Sequence, residues 1–549
     1  MMKRVSWLLA ILSIALAGLG REKSPSRIHG LPNNYVTLDQ GWKSKTIQKF
    51  WFTGQGSELI PRDWMRKLRR PNGDLFATPA TFARYRYLPV LKTKYNEDGW
   101  PVGFAVSKNP RSKVKWLGYT CAACHTGRVD YNRNSIILTG GATLANLSGL
   151  LGDLIETMQA TVANNAAFER FALEVLGYAD RAARDRLRDE MASLADELLW
   201  RKNGMVDSGY GRLDAFGTIF NQVLANDLEL PENERFADAP VSYPFIWDAP
   251  HMNRVQWNGA VSNSGPAGPI GRNVAEAMGV FGRVDIDTSR KGGYRSSIHF
   301  EALGDLEHWL KKLVSPRWPE EILPRLDTKK VERGKEVYKT MCARCHEVLA
   351  KGKRTKPGRK IIVWMEPIGA VGTDPLMATN FADRMGRTGR LKGHREYYNF
   401  GNHLGTEEHA MSILNNVAVG VMRAHPLHSA DAALKSYEGF FISTKYNPIK
   451  HPAYKARPLN GIWATAPYLH NGSVPNLWEL LLPPDRRSKS FHVGSFNFDP
   501  VNVGFETGPA QFTTLFDATG RGNSNAGHTY GTQLPDYQKW ELIEYLKSL

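Results

Sequence analysis

The sequence is organised around Cys121-Ala122-Ala123-Cys124-His125, and a second copy of the pattern, Cys342-Ala343-Arg344-Cys345-His346, lies more than 200 residues further along the chain. The spacing C-x-x-C-H is the attachment pattern of c-type haem. Its two thiols bind the porphyrin covalently, and the histidine ligates the iron as proximal ligand. The two copies use all four cysteines of the chain. We therefore predict two covalently bound haem c groups, with His125 and His346 as iron ligands.

Two other uses of paired cysteines fit the sequence less well. The pairs of a four-cysteine zinc site normally lie within about 20 residues of each other, whereas more than 200 residues separate these two. Zinc also gives no reason for a histidine after each pair. A thioredoxin-like redox pair needs a βαβ setting, and it does not explain a duplicated pattern that includes histidine.

The composition indicates a globular chain without a nucleic-acid partner. Hydrophobic residues make up 42% and charged residues 23% of the chain, as in an ordinary globular protein. The length of 549 residues is sufficient for two or more domains with full cores. The formal net charge of +17 raises the question of nucleic acid. The basic residues are scattered rather than arranged in a stripe, and haem propionates offset part of the charge. The alternative is a docking surface for an acidic electron-transfer partner.

The start of the chain predicts export. Met1-Met2-Lys3-Arg4 precedes an apolar run from Val5 to Leu19, which is the layout of a secretory signal. Ala15-Leu16-Ala17 offers a cleavage site with small residues. The run is short for a membrane span, with an uncleaved anchor as the alternative. We predict a signal peptide over residues 1–20, a periplasmic or secreted protein, and no integral membrane span after the signal is removed.

Apolar periodicity predicts a mainly α fold with long irregular loops. Residues 147–161 and 167–201 carry apolar side chains at helical spacing. A helix from about residue 327 runs into the second motif, and an amphipathic helix begins near Pro535 and closes the chain. These two helices resemble the first and last helices of a c-type cytochrome, which cross beside the haem. We therefore expect two c-type cytochrome-like haem domains, over residues 21–326 and 327–549.

A loop in the second half carries a family resemblance. Ala464-Thr465-Ala466-Pro467-Tyr468-Leu469-His470-Asn471-Gly472-Ser473 resembles the T-A-P-Y-x-H-x-G loop of the bacterial di-haem cytochrome c peroxidase superfamily. Residues 116–126, 211–216, 255–259 and 527–532 are similar to the branch that contains the rubber oxygenases and the di-haem unsaturated fatty-acid dioxygenases. Those enzymes use O2 at the N-terminal haem and keep the C-terminal haem for electron transfer.

The resemblance makes the first haem the candidate reactive centre. The peroxidases have a distal histidine, an F-W-D-G-R stretch and an acid/base glutamate after the first motif, whereas here no histidine follows His125 until His251. Asp153 and Glu156 lie in a helical pattern and are interpreted as surface or capping residues. This absence favours an oxygenase with an apolar pocket. We take His125, Phe216 and Trp247 as candidate catalytic residues, with Phe220 and Phe245 as further wall candidates; for each aromatic the alternative is ordinary core packing.

The second haem needs a sixth ligand if it only transfers electrons. The rubber oxygenases place a distal histidine in a glycine-flanked loop, which implies His528 here. His470 is the runner-up, and Met377, Met385 and Met422 are alternatives that also suit a core. The predicted function is O2-dependent oxygenation of an unsaturated hydrophobic substrate, with a cytochrome or cupredoxin as electron donor. The alternatives are a peroxidase that reduces H2O2 and a di-haem electron carrier.

Overall fold

A computed structural model describes residues 25, 27–28, 31–108, 114–177, 180–265, 267–290, 292–347, 360–397, 401–437 and 446–549. The predicted signal segment, residues 1–20, lies outside these described residues. Among the helices of the described part, none combines the length and the apolar content that crossing a bilayer requires.

The chain mixes helices with many small sheets. Helix accounts for 40% and strand for 17% of the structure, and the described strands form nine sheets of two or three strands each. The prediction of a mainly α fold is therefore wrong. Most of the strands are only two to six residues long. Strands of this length show too little alternation of apolar and polar residues to be recognised in the sequence.

The helices and strands have the following bounds. The α-helices span Ser44–Phe52, Arg62–Lys67, Pro79–Arg84, Leu147–Ala163, Asn165–Leu176, Arg181–Asn203, Ala215–Phe220, Gly268–Gly279, Phe300–Leu310, Thr328–Met341, Ile368–Val371, Leu376–Ala382, Ala410–Ala424, Pro426–Ser436, Leu477–Leu480 and Asp536–Lys547. The strands span Tyr35–Thr37, Ile60–Pro61, Phe104–Lys108, Lys115–Tyr119, Thr126–Tyr131, Asn134–Thr139, Arg212–Leu213, Val241–Ser242, Arg254–Val255, Val261–Ser262, Val284–Ile286, Tyr294–Ser296, Trp364–Pro367, Met385–Arg387, Glu407–His409, Ala453–Ala456, Ser490–Val493, Phe498–Asp499, Gly504–Phe505 and Thr514–Asp517.

The first C-x-x-C-H motif lies between two three-stranded sheets. The strand before it, Lys115–Tyr119, pairs antiparallel with Phe104–Lys108. The strand after it, Thr126–Tyr131, forms a hairpin with Asn134–Thr139. The motif itself begins with a short 3-10 turn over Cys121–Ala123. Because both ends of the motif continue into paired strands, its backbone is fixed from two sides.

Three helices, Leu147–Ala163, Asn165–Leu176 and Arg181–Asn203, share one hydrophobic cluster with the sheet that precedes the first motif. Leu147–Ala163 presents Leu150, Leu154 and Met158 to the interior, and each is completely buried. These side chains belong to the same hydrophobic cluster as Phe104 of the sheet. Full burial of one such side chain contributes about 1.5–3 kcal/mol. This packing gives the first motif a rigid support.

The helix that leads into the second motif crosses the closing helix, as the sequence predicts. Thr328–Met341 packs against Asp536–Lys547. The contact is closest at Gly334, where an added Cβ would lie 1.9 Å from the main-chain oxygen of Glu541. Only glycine allows the two backbones to approach this closely. Tyr338 of the first helix packs edge-on against Tyr545, with ring centroids 5.2 Å apart.

Hydrophobic clusters join residues from both sides of the predicted boundary at residue 327. One cluster combines Leu224 and Val274 with Phe381, Ile413 and Val417. The division into residues 21–326 and 327–549 stays a prediction. The shared core does show that helices from the second half pack against helices that follow the first motif.

Candidate haem-binding sites

The first motif opens into a large cavity. Cys121, Cys124 and His125 all line it, and its empty volume is about 1250 Å³, including the space at its mouth. Neither thiol forms a disulfide. The motif therefore places two free thiols beside a cavity, as the attachment of a porphyrin requires.

One hydrogen bond orients the His125 ring. Its Nδ1 donates to the main-chain oxygen of Pro244 over 2.8 Å. A carbonyl can only accept, so the proton lies on Nδ1 and the Nε2 lone pair is left for a metal. Burial lowers the pKa of His125 to about 4, which keeps the imidazole neutral. The ring thus has the tautomer that a proximal ligand requires.

The cavity wall is mainly apolar. Phe216 lines it, and no histidine other than His125 does so within the described residues; Met205 contributes a thioether. The other apolar lining residues are Leu147, Leu151, Trp200, Leu213, Ala215, Ile219, Pro244, Val280 and Phe281.

The other proposed wall residues lie elsewhere. Trp247 is completely buried, packs on Phe245 with ring centroids 4.5 Å apart, and donates from Nε1 to the Asn460 oxygen over 2.9 Å. Phe220 lines a neighbouring cavity that also contacts Phe216. The structure therefore brings Phe216 together with His125 in the first cavity, but not Trp247.

A carboxylate that the sequence analysis missed also faces the first cavity. Glu276 lines it together with Gln256, whose Nε2 donates to Glu276 Oε1 over 2.7 Å. Burial raises the pKa of Glu276, and the charge of Arg272 opposes the increase. Glu276 comes from the Gly268–Gly279 helix, about 150 residues after the motif, and no sequence signal shows which face of that helix meets the cavity.

The carboxylates considered in the sequence analysis have other surroundings. Asp153 pairs with Arg70 and accepts a hydrogen bond from the Tyr85 hydroxyl over 2.9 Å. Glu156 is exposed on the Leu147–Ala163 helix. Neither residue lines the cavity.

A π-helix supplies two further polar residues to the cavity. It spans Asn221–Asp227 and follows the Ala215–Phe220 helix directly. Its first residues, Asn221 and Gln222, line the cavity. Gln222 Nε2 also donates to Asp227 Oδ1 over 2.6 Å. Segments of π-helix occur frequently at functional sites because they change which side chains a helix presents.

The second motif has a different arrangement, with a second histidine ring close to that of the motif and tilted by 54° relative to it. His346 Nδ1 donates to the main-chain oxygen of Arg457 over 2.8 Å, which repeats the orientation of His125. The His528 ring lies opposite, with ring centroids 6.4 Å apart. The His528 Nδ1 is buried without a hydrogen-bond partner. Metal–imidazole bonds of about 2 Å each leave room for one metal ion between these rings. The residues present therefore fit a six-coordinate haem iron.

The loop that carries His528 is held firmly. Arg487, which is 2% exposed, donates to the main-chain oxygens of Asn525 (2.6 Å), Gly527 (2.9 Å) and His528 (3.2 Å). Gly527 has a φ of +68°, and a Cβ there would lie 2.2 Å from the main-chain carbon of Gly372. Contacts within the protein thus fix the backbone of the loop that carries His528.

The runner-up ligands lie away from His346. The His470 ring stacks on Tyr454, with centroids 4.0 Å apart. Met377 is buried in a separate small cluster, and Met422 packs against the large cluster shared by both halves. Met385 is 37% exposed. Among the described residues, no group of three or more His, Cys, Asp or Glu is arranged to hold a metal ion.

Comparison with known proteins agrees with a cytochrome. A family model described as RoxA-like, cytochrome c-like matches residues 453–492, which include the T-A-P-Y-x-H-x-G loop. A relative described as uncharacterized protein y4iJ, from Sinorhizobium fredii (strain NBRC 101917 / NGR234), is 31% identical over 594 residues, covering 95% of this chain and 93% of the relative. The chain belongs to the y4iJ family. A second relative from that strain, uncharacterized protein y4iM, is 26% identical over 58% of the chain and 66% of its own length.

The match supports the resemblance to the rubber-oxygenase-like branch and indicates a haem-containing cytochrome oxidoreductase with covalently bound haem c. It covers residues 453–492 alone, so the expectation of two cytochrome-like haem domains is wrong. The structural reason is visible at the first motif. Its cysteines lie between two strands rather than at the end of a helix such as Thr328–Met341.

Proposed function

We propose that the chain carries two haem c groups with different tasks. One is held by Cys121, Cys124 and His125, and the other by Cys342, Cys345, His346 and His528. The observation that carries this proposal is the contrast between the two sites. A second imidazole lies 6.4 Å from the ring of His346, whereas an open cavity lies beside His125. A haem that reacts with O2 needs a free sixth position, and an electron-transfer haem does not.

The reaction we propose is oxygenation of an unsaturated hydrophobic substrate in the first cavity. When bound, the first haem supplies a redox-active iron that reacts with O2. The protein contributes the ligand, because His125 is held neutral and oriented by the Pro244 oxygen. It also contributes the apolar wall, with Phe216 among its residues. Each substrate methylene buried there favours binding by about 0.8 kcal/mol, and the wall keeps water away from the reacting groups.

Electrons would enter through the second haem from an external cytochrome or cupredoxin, in an exported protein of the periplasm or the medium. The paired histidines support this role because a six-coordinate iron changes its oxidation state with little change in its ligands. The rigid loop around His528 supports it further.

Reduction of H2O2 is a second candidate because of Glu276. A buried carboxyl with a raised pKa keeps its proton closer to neutral pH and can donate it to a peroxide oxygen. Gln256 holds this carboxyl in the cavity over 2.7 Å. General acid catalysis of this kind contributes about 10²–10⁴-fold to a rate.

The spin state of the isolated holoprotein tests the proposed division of tasks. We expect one high-spin and one low-spin haem in the EPR spectrum, and a pyridine haemochrome assay should find two haems per chain. His528→Ala should convert the low-spin signal to high spin. His470→Ala is the matched control and should keep the low-spin signal. Two low-spin haems in the wild type, or an unchanged low-spin signal in His528→Ala, would refute the assignment.

Steady-state assays separate the two reactions. Oxygen uptake is measured with oleate or polyisoprene, and peroxide consumption with a reduced cytochrome. For an oxygenase, substrate-dependent O2 uptake should exceed peroxide turnover, and Glu276→Gln should retain most of it. For a peroxidase, Glu276→Gln should lower peroxide turnover by about 10²–10⁴-fold. Glu156→Gln changes an exposed carboxylate outside the cavity and is the control.

A further inference from the structure

A short run of hydrogen bonds joins the histidines of the two motifs. His125 Nδ1 donates to the oxygen of Pro244 over 2.8 Å. The next residue, Phe245, accepts from Arg457 Nη1 over 2.8 Å. The main-chain oxygen of Arg457 in turn accepts from His346 Nδ1 over 2.8 Å. One arginine therefore separates the main-chain segment that orients His125 from the ring of His346.

Arg457 holds the Phe245 segment through several contacts. Its Nη2 also donates to the oxygen of Trp247 over 3.0 Å. The guanidinium carbon lies 3.4 Å from the centroid of the Phe245 ring, which is a close cation–π contact. A buried carbonyl that loses its donor pays the cost of leaving water without a compensating hydrogen bond. The side chain of Arg457 thus fixes the backbone that follows Pro244, while its own carbonyl fixes His346.

The charge of Arg457 is also placed close to both sites. The side chain is 5% exposed, and its Nη atoms bond to main-chain oxygens that carry no formal charge. Its Nε is buried without a hydrogen-bond partner. A cation in such surroundings favours the more reduced, less positive state of a nearby iron.

We propose that Arg457 is a positioning residue for both ligand histidines and that, through them and its charge, it sets the reduction potentials of the two haems together. This inference rests on haem attachment at both motifs, as proposed above. Hydrogen bonds to the ligand histidine and the local charge are the means by which a protein tunes a haem potential. Because the one side-chain charge of Arg457 acts on both sites, removing that charge alters the two potentials in the same direction.

Spectroelectrochemical titration of the holoprotein tests this inference. Arg457→Met removes the charge and the donors, and both midpoint potentials should shift to more negative values. Arg457→Lys keeps a charge but cannot hold two carbonyls in the geometry of a guanidinium. Its potentials should lie between those of the wild type and Arg457→Met, with a changed EPR spectrum of the low-spin haem.

Arg254→Met is the matched control. Arg254 is 8% exposed, donates to the oxygens of Gly259 (2.9 Å) and Tyr446 (2.8 Å), and lies 4.9 Å from the Tyr446 ring centroid. It contacts neither of the carbonyls that orient the ligand histidines. Its substitution should shift both potentials by less than Arg457→Met does.

The outcomes separate the inference from the proposed function. A pyridine haemochrome assay that finds fewer than two haems in the wild type refutes the proposed function. If both haems are attached, a shift of one potential alone, or of neither, overturns the role of Arg457. If Arg457→Met does not fold or does not retain haem, the same decision is made from the potentials and the EPR spectrum of Arg457→Lys.

Discussion

Gly527, the residue before His528, offers a direct test of how the second site is built. Its φ of +68° lies in the left-handed region, and an added Cβ would lie 2.2 Å from the Gly372 carbon and 2.4 Å from the Thr373 nitrogen. Both are main-chain atoms, so no side-chain rotation relieves the contact. We predict that Gly527→Ala moves the His528 loop and removes the sixth ligand of the second haem.

The size of the displacement follows from the contact distances. Carbon atoms pack at about 3.5–4.0 Å, so the loop at Gly527 has to move by more than 1 Å. Metal–ligand distances tolerate deviations of only about 0.2 Å. The left-handed conformation adds a cost of about 1–2 kcal/mol for alanine. The backbone strain alone should lower the free energy of unfolding only slightly. The loss of the His528–metal bond, in contrast, should change the spin state of the haem completely.

The assay compares EPR and visible spectra of wild type and variant at equal haem content. Gly527→Ala should lose the low-spin bis-histidine signal and gain a high-spin one. Gly73→Ala is the control, because Gly73 has a φ of +91° but nothing within 4 Å of an added Cβ. That control should keep the wild-type spectrum. A Gly527→Ala protein with an unchanged low-spin signal would show that the close approach to Gly372 does not position His528.

Two further predictions concern stability and its pH dependence. Arg487→Met leaves three carbonyls of the His528 loop without their donor, so the melting temperature and the low-spin fraction of the haem should both fall. An unchanged spectrum would show that these hydrogen bonds do not hold the loop in position. Burial raises the pKa of Asp214 from 3.8 to about 6, so its contribution to the free energy of unfolding is fully present only below pH 3.8 and falls by up to ~3 kcal/mol as the pH rises through 6 to 7. Urea titrations at pH 4, 5.5 and 7 should show that the free energy of unfolding falls less with rising pH in Asp214→Asn than in the wild type. An equal fall in both proteins would refute the raised pKa of Asp214.

The parts of the site that the sequence predicts are those encoded locally. The C-x-x-C-H spacing by itself predicts covalent haem attachment. The amphipathic pattern before Cys342 predicts the helix Thr328–Met341. Glycine beside His528 indicates a tight turn, and the resemblance to a ligand loop places the histidine there. Each of these inferences needs only a few neighbouring residues.

The parts that the sequence does not predict depend on contacts between distant segments. Glu276 looks like an ordinary helical glutamate, and only packing turns it toward the first cavity. Arg457 and Phe245 are 212 residues apart. Trp247 is a large aromatic residue of the kind that lines apolar cavities, but it is fully buried within the segment that Arg457 holds. Whether a charged or aromatic residue meets a cavity, a carbonyl or the core is decided by tertiary structure, which local patterns do not encode.

The two sites hold the motif histidine in the same way, but the surroundings of its ring differ. His125 and His346 each donate from Nδ1 to a main-chain oxygen over 2.8 Å, so their orientation and basicity as ligands should be similar. The difference lies in the surroundings of each ring. The His528 ring lies 6.4 Å from that of His346, whereas Phe216 and Glu276 line the cavity that His125 also lines. The division of tasks that we propose therefore depends on residues outside both motifs. Exchanging the residues between the two cysteines of each motif should therefore not change which haem reacts with O2 and which transfers electrons. Removing His528 should instead leave the sixth position of the second haem free.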